Sequence, residues 1–566
     1  MKDFRYYWEK IDKRKALRWT KYIGICLGAF MIIAVILAFS LRNQLLGKAV
    51  GYVEQKVKNT YGWDLKITEY RLKGWNRLEM HNILCTNRER DTVAFCQDVS
   101  LNFKVWPLLR GRVRFSNINA NNNILNVNAI EFENDTTTRY PTDSVSKFQK
   151  IQRYLGYLEE YAATIPDDLH LQNCRLSYFD TLHTILVTIP EGDFNNGKVK
   201  GAMQLNYDGR VQSWKMDGNF DPSTLETSID IEADALRIYN LSFIPELASA
   251  RVGFQKAHFE LKEYDNDEDE VLLKGKMTGE AVSIYNPRLS ADTVVVDHGS
   301  LEFDLALSED SFVVRHGSKI ELNKAKADLW LNYGSKPQIV KMRLDMPFIN
   351  GQDFLQSLPG GMFSEVKDMD IRGKIGYSLD FYLDLDKKDT ISINSVLEGK
   401  NLSITDYGEL RLNKLNSDFL YTPYNSRQSF IVGPSNPDFT PITNIHPYLP
   451  AAIITAEDPR FYYHNGFEGE AFEHSFLTDL NEGRFKRGGS TITMQLVKNV
   501  FLSHAKTIDR KLEEMLIVWF IEELDITSKK RMMEVYLNVI EWGPGIYGAG
   551  QASRFYFNKP PSQLTR

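Results

Sequence analysis

The chain has 566 residues, which is too long for a single hydrophobic core, so two or more domains are expected. Its 68 basic and 74 acidic residues give a formal net charge of −6. This balance argues against a nucleic-acid-binding protein, for which a basic excess is expected. The four cysteines show no spacing typical of a metal site.

The N-terminus combines a basic segment with an apolar one. Residues 1–21 are polar and rich in Lys and Arg, and residues 22–41 are uncharged and mostly apolar. The second segment is long enough to cross a hydrocarbon core of about 30 Å. We therefore predict a cytoplasmic tail over 1–21, a single transmembrane anchor over 22–41 and a periplasmic or extracytoplasmic bulk, as expected for an inner-membrane protein. The alternative is a cleaved signal peptide, although Ala38-Phe39-Ser40 is a poor cleavage site.

The region after the anchor is dominated by β-structure. Residues 43–61 predict a helix, with Leu46, Val50, Val53 and Val57 at helical spacing. From there to about Ile404, polar and apolar residues alternate, and turn signals such as Asn195-Asn196-Gly197 separate the runs. This pattern is typical of antiparallel strands.

One predicted helix interrupts the strands at about residues 144–163. Its predicted apolar side consists of Phe148, Ile151, Tyr154, Leu155 and Leu158. We place the whole β-rich region at residues 42–420. A segment rich in Pro, Asn and Ser, residues 421–441, is the predicted linker between this region and the C-terminal part of the chain.

The start of the β-rich region carries a recognisable pattern. The run Gly62-Trp63-Asp64-Leu65-Lys66-Ile67 is followed, over residues 104–115, by a strand, a Pro-Leu-Leu corner, a Gly and another strand. This arrangement resembles the AsmA-like envelope proteins. The resemblance implies a long curved sheet whose apolar inner face can carry lipid. The alternative is a β-rich spacer with an ordinary core.

Four motifs lie in the C-terminal part, between Ala456 and Lys559. They are Ala456-Glu457-Asp458-Pro459-Arg460-Phe461 with His464 and Gly466; Gly488-Gly489-Ser490-Thr491 with Gln495-Leu496-Val497-Lys498-Asn499; Arg510-Lys511-Leu512-Glu513-Glu514; and Tyr536-Leu537-Asn538 with Glu541-Trp542-Gly543-Pro544-Gly545. Their order and spacing resemble the peptidoglycan glycosyltransferases of family 51. The resemblance implies a mainly α, lysozyme-like glycosyltransferase domain over residues 442–566. It also implies that this domain polymerises lipid II with inversion and releases undecaprenyl diphosphate.

Such a reaction requires a carboxylate base and cations for the leaving diphosphate. Glu457 follows a mostly apolar run, where partial burial would raise its pKa, and by resemblance it is the general base. Glu514 is by resemblance the second essential carboxylate. It lies on a helix from about Thr507, with Arg510 and Lys511 on the same side. The opposite side is predicted to bury Ile508, Leu512, Met515, Leu516, Trp519 and Phe520.

The second motif predicts a helix from Thr491 with Ser490 as its N-cap. Met494 stands where the family usually has a first glutamine, which puts the donor contacts of that position in doubt. The basic cluster around this helix suits a diphosphate. By resemblance, the predicted substrate-binding residues are Asp458, Phe461, His464, Ser490, Thr491, Gln495, Lys498, Asn499, Lys506, Arg510, Lys511 and Asn538.

The resemblance also sets expectations about mobility and partners. Residues 467–485 correspond to a mobile jaw, with Phe472, Phe476 and Leu477 at the bilayer edge. The expected partners are lipid II, the growing glycan strand and membrane lipid, together with a transpeptidase or other cell-wall synthesis proteins. The sequence requires no cofactor, and the resemblance is compatible with Mg²⁺ or Mn²⁺ at the diphosphate. The family normally begins a fifth, helical motif where this chain stops, so a truncated domain is expected.

Two other functions compete with glycan polymerisation. A lysozyme-like muramidase would use the same pair of carboxylates, but it would have no diphosphate for the cations to bind. A non-enzymatic, lipid-bridging scaffold with a relic domain is disfavoured because Glu457 and Glu514 are both present.

The predicted topology can be tested with a reporter fused after Arg566. Because the basic flank precedes the apolar segment, we expect a fused alkaline phosphatase to be active outside the cytoplasm. The matched control is the same fusion with the basic residues of 1–21 neutralised, for which orientation is expected to be mixed. A reporter that is active only in the cytoplasm would contradict the predicted localisation.

Overall fold

The computed structural model describes residues 44, 46–74, 76–104, 106–107, 114–129, 146–179, 184–236, 239–240, 250–387, 390–424, 426, 428–482 and 489–565. The predicted transmembrane anchor and residues 108–113 of the predicted corner lie outside these ranges. None of the helices within them is both long enough and apolar enough to span a membrane.

The chain divides into two compact units, the first of which comprises Met1–Arg139 and Thr164–Val211. Helix α1 (residues 46–61) confirms the helix predicted after the anchor. The strands are β1 (Asp64–Lys73), β2 (Arg77–Thr86), β3 (Thr92–Phe103), β4 (Phe115–Asn126), β5 (Asp168–Phe179), β6 (Thr184–Asn195) and β7 (Lys198–Tyr207). Consecutive strands pair antiparallel, except that β4 and β5 are parallel. The β6–β7 turn at Asn196-Gly197 has positive φ at both residues, as the Asn-Gly signal predicts.

The second unit comprises Tyr140–Ala163 and Gln212–Arg566. Its strands are β8 (Arg210–Phe220, entering the unit at Gln212), β9 (Thr227–Ala233), β10 (Tyr239–Asn240), β11 (Arg251–Gly253), β12 (Lys256–Asn266), β13 (Glu270–Tyr285), β14 (Val294–Ser308), β15 (Ser311–Leu322), β16 (Ala325–Ser335), β17 (Gln338–Asn350), β18 (Asp370–Asp384) and β19 (Thr390–Asp406). Strands β12 to β19 form an antiparallel meander, and β12 also pairs with β9. The predicted antiparallel β-structure is therefore confirmed.

The interrupting helix is confirmed as α2 (Lys147–Ala162), but most of its predicted apolar side is not buried. Phe148 is buried, whereas Tyr154 is 71% and Leu158 is 51% exposed. Polar contacts hold the helix instead, since Gln152 Nε2 donates to the Asp267 carbonyl at 2.7 Å and Tyr264 donates to Glu159. Helical spacing alone could not distinguish the packed side from the exposed one.

The C-terminal region is mainly α-helical, as predicted. A short helix α3 (Gly351–Ser357) lies between β17 and β18, and two short strands, β20 (Phe419–Tyr421) and β21 (Phe430–Val432), precede the helical part. The helices are α4 (Tyr448–Glu457), α5 (Gly469–Glu482), α6 (Ile492–Phe501), α7 (Ile508–Glu523), α8 (Lys529–Val539) and α9 (Gly548–Phe557). Strands β22 (Glu541–Gly543) and β23 (Ile546–Tyr547) form a hairpin between α8 and α9.

The helices and the last strands of the sheet share one hydrophobic core. Ile371 and Ile375 of β18 belong to the same buried cluster as Phe461, Ile517 and Phe520. Val432 and Phe439, within the predicted linker, belong to it as well. The sheet therefore contributes directly to the packing of the helices, while the predicted domain limits stay a prediction.

Helix α7 is also tied to the β-rich part by hydrogen bonds. At its N-terminus, the Ile508 and Asp509 amides donate to the Arg288 and Leu289 carbonyls at 3.0 and 2.9 Å. In its middle, Trp519 Nε1 donates to the Leu397 carbonyl at 2.8 Å. Amides at a helix start have no partner within the helix, so the β13–β14 connection caps α7.

Glu513 makes a further contact between α7 and the β-rich part. Its side chain is buried, and Oε1 accepts the Glu365 amide at 2.6 Å and the Val366 amide at 3.4 Å. Burial raises the pKa of Glu513 to about 7, although the two amides oppose this rise.

The raised pKa predicts how stability depends on pH. The folded protein retains a proton on Glu513 that the unfolded chain releases near its ordinary pKa of 4.5. This contribution is fully present below about pH 4.5 and is lost as the pH rises through about 7. The total loss is roughly 3 kcal/mol at most. Urea unfolding of Glu513→Gln should therefore show a flatter pH dependence than the wild type. The exposed Glu226→Gln is the control, and identical profiles for wild type and Glu513→Gln would contradict the prediction.

Candidate active site

The site is organised by Asp458, which follows the last residue of α4. Its carboxylate is buried and accepts from His464 Nε2 at 2.9 and 3.0 Å and from the Ile492 amide at 3.0 Å. The Ile492 amide belongs to the first turn of α6, where a carboxylate is favourable. Burial raises the pKa of Asp458, but the hydrogen bonds from His464 and Ile492 outweigh it and leave the pKa lowered.

His464 and Thr491 extend this network. His464 Nδ1 accepts the Gly466 amide at 3.0 Å, so Nε2 carries the proton donated to Asp458. Thr491 Oγ1 donates to the Gly466 carbonyl at 2.7 Å. Gly466 has a φ of +85°, and a Cβ there would lie 2.5 Å from Val518. The turn therefore requires glycine for both backbone conformation and space.

Thr491, and not Ser490, is the N-cap of α6. Thr491 Oγ1 accepts the Met494 amide at 3.3 Å, so the predicted cap at Ser490 is wrong by one residue. Ser490 makes a different contact, because its Oγ accepts from Lys511 Nζ at 2.9 Å. Burial of Thr491 beside Gly466 explains why the helix begins one residue later.

Glu457 is held by a chain of hydrogen bonds. Gln495 Nε2 donates to Glu457 Oε2 at 2.9 Å, and the Tyr536 hydroxyl donates to Gln495 Oε1 at 3.0 Å. Tyr536 is buried, which raises its pKa and keeps it a hydrogen-bond donor. The predicted partial burial of Glu457 is wrong, since the residue is exposed. The whole of α4 lies at the surface and contains no buried residue. The sequence places Tyr536 in a motif, but no local signal there indicates its contact with Gln495.

Glu514 is buried, in contrast to the exposed Glu457. It is 1% exposed, and its two oxygens accept from Arg510 Nη1 at 2.7 Å and from Lys511 Nζ at 2.6 Å. The predicted grouping of these three residues is therefore confirmed. The carboxylate is deeply buried, and both of its oxygens are compensated by a cation.

The predicted apolar side of α7 is only partly right. Leu516, Trp519 and Phe520 are buried, but Ile508 and Leu512 are 47% and 41% exposed. Ile517, Val518 and Ile521 fill the core instead. Because residues 516–521 are apolar all round, the sequence does not indicate which arc of the helix faces inward.

Two further lysines predicted to bind the diphosphate lie in the same part of the chain. Lys498 is half-buried and Lys506 is exposed, and neither has an ion-pair partner within the described residues. Burial lowers the pKa of Lys511, while Glu514 acts against this shift. Burial, together with Lys498 and Arg510, also lowers the pKa of His504. These residues can present cationic donors to an anionic group.

Two further predicted substrate-binding residues, Phe461 and Asn538, lie in the interior, and a third, Asn499, is half-buried. Phe461 is fully buried, and Asn538 is 5% exposed. The Asn538 amide donates to the Thr440 and Glu534 carbonyls at 2.9 and 2.8 Å and accepts the Thr440 amide at 2.9 Å. Met494 is 2% exposed, so the residue that departs from the family pattern belongs to the core.

The predicted jaw segment contains α5, which contacts the sheet. Glu473 Oε1 accepts the Ile393 amide at 2.7 Å, and the Phe476 ring lies 6.3 Å from that of Phe381. Phe472 and Phe476 are 37% and 38% exposed. Insertion of these residues into a bilayer stays a prediction.

The described residues offer no protein cage for a divalent metal. They contain no group of three or more His, Cys, Asp or Glu that could bind one. Both oxygens of Glu514 are taken by cations, and Glu457 Oε2 is taken by Gln495. We therefore derive no chemical step through a metal.

Comparison with known proteins finds similarity in the C-terminal part of the chain. Residues 427–566 match the family model described as Transglycosylase. The chain is 47% identical over 127 residues to the biosynthetic peptidoglycan transglycosylase of Chromobacterium violaceum, covering 22% of this chain and 55% of the relative. The corresponding protein of Nitrosomonas eutropha is 46% identical over 127 residues (22% and 50%), and that of Laribacter hongkongensis is 40% identical over 150 residues (25% and 65%). The chain thus spans 50 to 65% of the length of these curated relatives.

The Asp458 network predicts a specific loss of stability. Asp458→Ala would leave the buried His464 Nε2–H and Ile492 N–H without acceptors, at a cost of about 1–3 kcal/mol for each group. We therefore expect urea unfolding to show a loss of at least about 2 kcal/mol. The exposed Asp269→Ala is the control and should remain within about 0.5 kcal/mol of the wild type. A similarly small effect of Asp458→Ala would mean that the network does not hold α4 and α6 together.

Proposed function

We propose that this protein is a peptidoglycan glycosyltransferase that polymerises lipid II into glycan strands, with inversion and release of undecaprenyl diphosphate. The observation that carries the proposal is the contrast between its two carboxylates. Glu457 is exposed and oriented by Gln495, whereas Glu514 is buried between two cations. Glu457 is thus suited to proton transfer, and Glu514 is suited to holding the cationic side chains in place. The match of residues 427–566 and the transglycosylase relatives support the same activity.

In the proposed step, Glu457 is the general base. Gln495 occupies Oε2, and Oε1 has no donor within the described part of the chain, so Oε1 is the oxygen that accepts the proton. The acceptor 4-hydroxyl loses this proton as its oxygen attacks the donor anomeric carbon. The bond from that carbon to the diphosphate oxygen breaks, and its electron pair leaves with the lipid diphosphate. Attack opposite to the leaving group inverts the anomeric centre.

The cationic residues stabilise the leaving group. Lys498, Lys506, Arg510 and Lys511 supply positive charge for the developing diphosphate, and charge-assisted hydrogen bonds are the strong ones. Glu514 holds Arg510 and Lys511 and therefore acts on the donor through them. A muramidase would have no use for this cluster, so glycan polymerisation is the better explanation.

The buried residues position this machinery. Asp458, Phe461 and His464 fix the turn after Glu457, Thr491 fixes the start of α6, and Asn538 holds the Thr440 backbone. We therefore assign these five a positioning role, and we assign contact with substrate to Gln495, Asn499 and the cations. Ser490 acts through Lys511.

The proposal extends to location and to the β-rich region. We propose a single-pass inner-membrane protein whose bulk is extracytoplasmic, because lipid II and a lipid diphosphate are membrane-bound. We propose further that the β-rich region is AsmA-like and carries lipid on its apolar inner face. The sequence patterns at residues 22–41 and 62–67 support these two points.

The general-base assignment is tested with Glu457→Gln, which preserves shape but cannot accept a proton in the same way. Glycan synthesis from lipid II by the purified full chain should fall at least about 100-fold. Binding of a phosphoglycolipid that mimics the donor should persist, because the cationic residues are intact. The exposed Glu226→Gln, on the turn before β9, is the matched control.

Two results would contradict the proposal. Polymerisation by Glu457→Gln at the wild-type rate would leave the chain without its general base. No polymerisation by a folded wild-type protein would favour a non-enzymatic role. Circular dichroism of each variant separates loss of chemistry from loss of fold.

A further inference from the structure

Two connections of the β-rich part contact the first turns of α7 and are joined to each other. The β13–β14 connection spans residues 286–293, and the β17–β18 connection spans residues 351–369. Gly360 exchanges two backbone hydrogen bonds of 2.8 Å with Val295, the second residue of β14. The two connections therefore form one structural unit, which we call the α7 cradle.

A buried side-chain contact tightens this joint. Ser290 is 1% exposed, and its Oγ donates to the Gly361 carbonyl at 2.9 Å. Gly361 has a φ of +78°, and a Cβ there would lie 2.1 Å from the Thr293 carbonyl oxygen. Because the two backbones approach so closely, neither connection has room to shift without the other.

The α7 cradle holds the helix at two places. The Ile508 and Asp509 amides donate to carbonyls of the β13–β14 connection. One turn later, Glu513 Oε1 accepts the Glu365 and Val366 amides of the β17–β18 connection. The residues between these two attachments are therefore fixed both along the helix axis and in rotation about it.

The cations of the proposed diphosphate site lie between the two attachments. At about 100° per residue, Asp509 and Glu513 share one side of α7, while Arg510 and Glu514 share the adjoining side. A rotation of the helix by about 20° would move the end of a side chain by roughly 2 Å. A misplacement of about 1 Å at a reacting centre can cost roughly 100-fold in rate. The attachment at Glu513 thus determines where Arg510 and Lys511 present their donors.

A buried acid is a costly way to join a helix to a sheet. Glu513 is 5% exposed, and burial together with the neighbouring acids Glu365 and Asp509 raises its pKa to about 7. An apolar side chain of similar size would avoid this cost. The carboxyl group adds direction instead, because hydrogen bonds to two amides require one orientation of the helix, whereas apolar contact tolerates several.

We infer that Glu513 is a positioning residue of the transferase site and that the α7 cradle is a working part of that site. Glu513 acts through its neighbours: it fixes the rotation of α7 and so places the donors of Arg510 and Lys511 for the leaving diphosphate. The inference rests on the proposed function and deepens it. Diphosphate binding then depends on the α7 cradle, which lies outside the family-matched segment 427–566.

The test compares Glu513→Met, which keeps the side-chain length but has no oxygen to accept the amides, with Glu513→Gln, which keeps an acceptor oxygen. The matched control is Glu523→Met, at an exposed glutamate that ends the same helix. In each full-length protein, acetic anhydride labelling and mass spectrometry measure the reactivity of Lys511, with Lys529 on α8 as the internal reference. Lys511 should be acetylated about fivefold faster in Glu513→Met, because its turn is no longer held. Glu513→Gln and Glu523→Met should match the wild type.

Binding and activity are measured on the same proteins. Affinity for inorganic diphosphate should fall about tenfold in Glu513→Met, and glycan synthesis from lipid II should fall at least as much. Glu513→Gln should retain both. If Glu513 served stability alone, Glu513→Met would unfold at a lower temperature, but the folded protein would keep its affinity for diphosphate.

The inference and the proposed function can fail separately. Equal labelling of Lys511 in wild type and in folded Glu513→Met overturns the inference, and so does unchanged diphosphate affinity. Should Glu513→Met fail to fold, Ser290→Ala decides, because it loosens the α7 cradle and leaves Glu513 in place; unchanged labelling of Lys511 there overturns the inference. Faster labelling and weaker diphosphate binding, with no glycan made by the wild type, support the positioning role and reject the proposed enzyme.

Discussion

The bond between the Asp458 carboxylate and the Ile492 amide sets the geometry of the candidate site. Glu457 immediately precedes Asp458, and Gln495 lies in the first turn of the helix that Ile492 begins. One hydrogen bond therefore sets the separation between the exposed carboxylate and the amide that orients it. Because Asp458 is buried and also accepts from His464, water does not compete for this contact. The hydrophobic core around Phe461 and Val518 then fixes the turn as a whole.

The two carboxylates of the candidate site differ in how deeply they are buried. Glu457 is at the surface, where a substrate hydroxyl can reach it, and Glu514 is buried with a cation on each oxygen. A buried carboxylate with one missing partner would be costly, so Arg510, Lys511 and Glu514 depend on one another. Lys511 also contacts Ser490, which precedes α6. The two carboxylates are thus joined through α6 without direct contact.

The sequence predicted well the features that depend on local spacing. Lys511 and Glu514 are three residues apart on a helix, and the ion pair between them is a consequence of that spacing. Alternation of polar and apolar residues predicted the strands, and the Asn196-Gly197 turn has the backbone that its residues favour. The order of the four motifs indicated the C-terminal region that the family model matches.

Features that depend on distant partners could not be predicted. Glu513 is buried, and the Glu365 and Val366 amides that donate to it lie more than a hundred residues away in the chain. The exposure of Glu457 is a result of how α4 lies on the surface, which its apolar composition conceals. The stack of Tyr424 on His504 likewise joins segments that no motif connects. In each case the side chain's environment is decided by tertiary packing.

The cap on α7 has a consequence for how this protein can diverge. The acceptors are the main-chain carbonyls of Arg288 and Leu289, which every amino acid provides. Substitutions in the β13–β14 connection can accumulate while the cap persists, whereas an insertion or deletion there would move the carbonyls away from the helix. At positions 288 and 289, the connection is therefore constrained in length, whereas residue identity matters little to the cap. In an alignment of homologous chains, these positions would show few insertions or deletions but low sequence conservation.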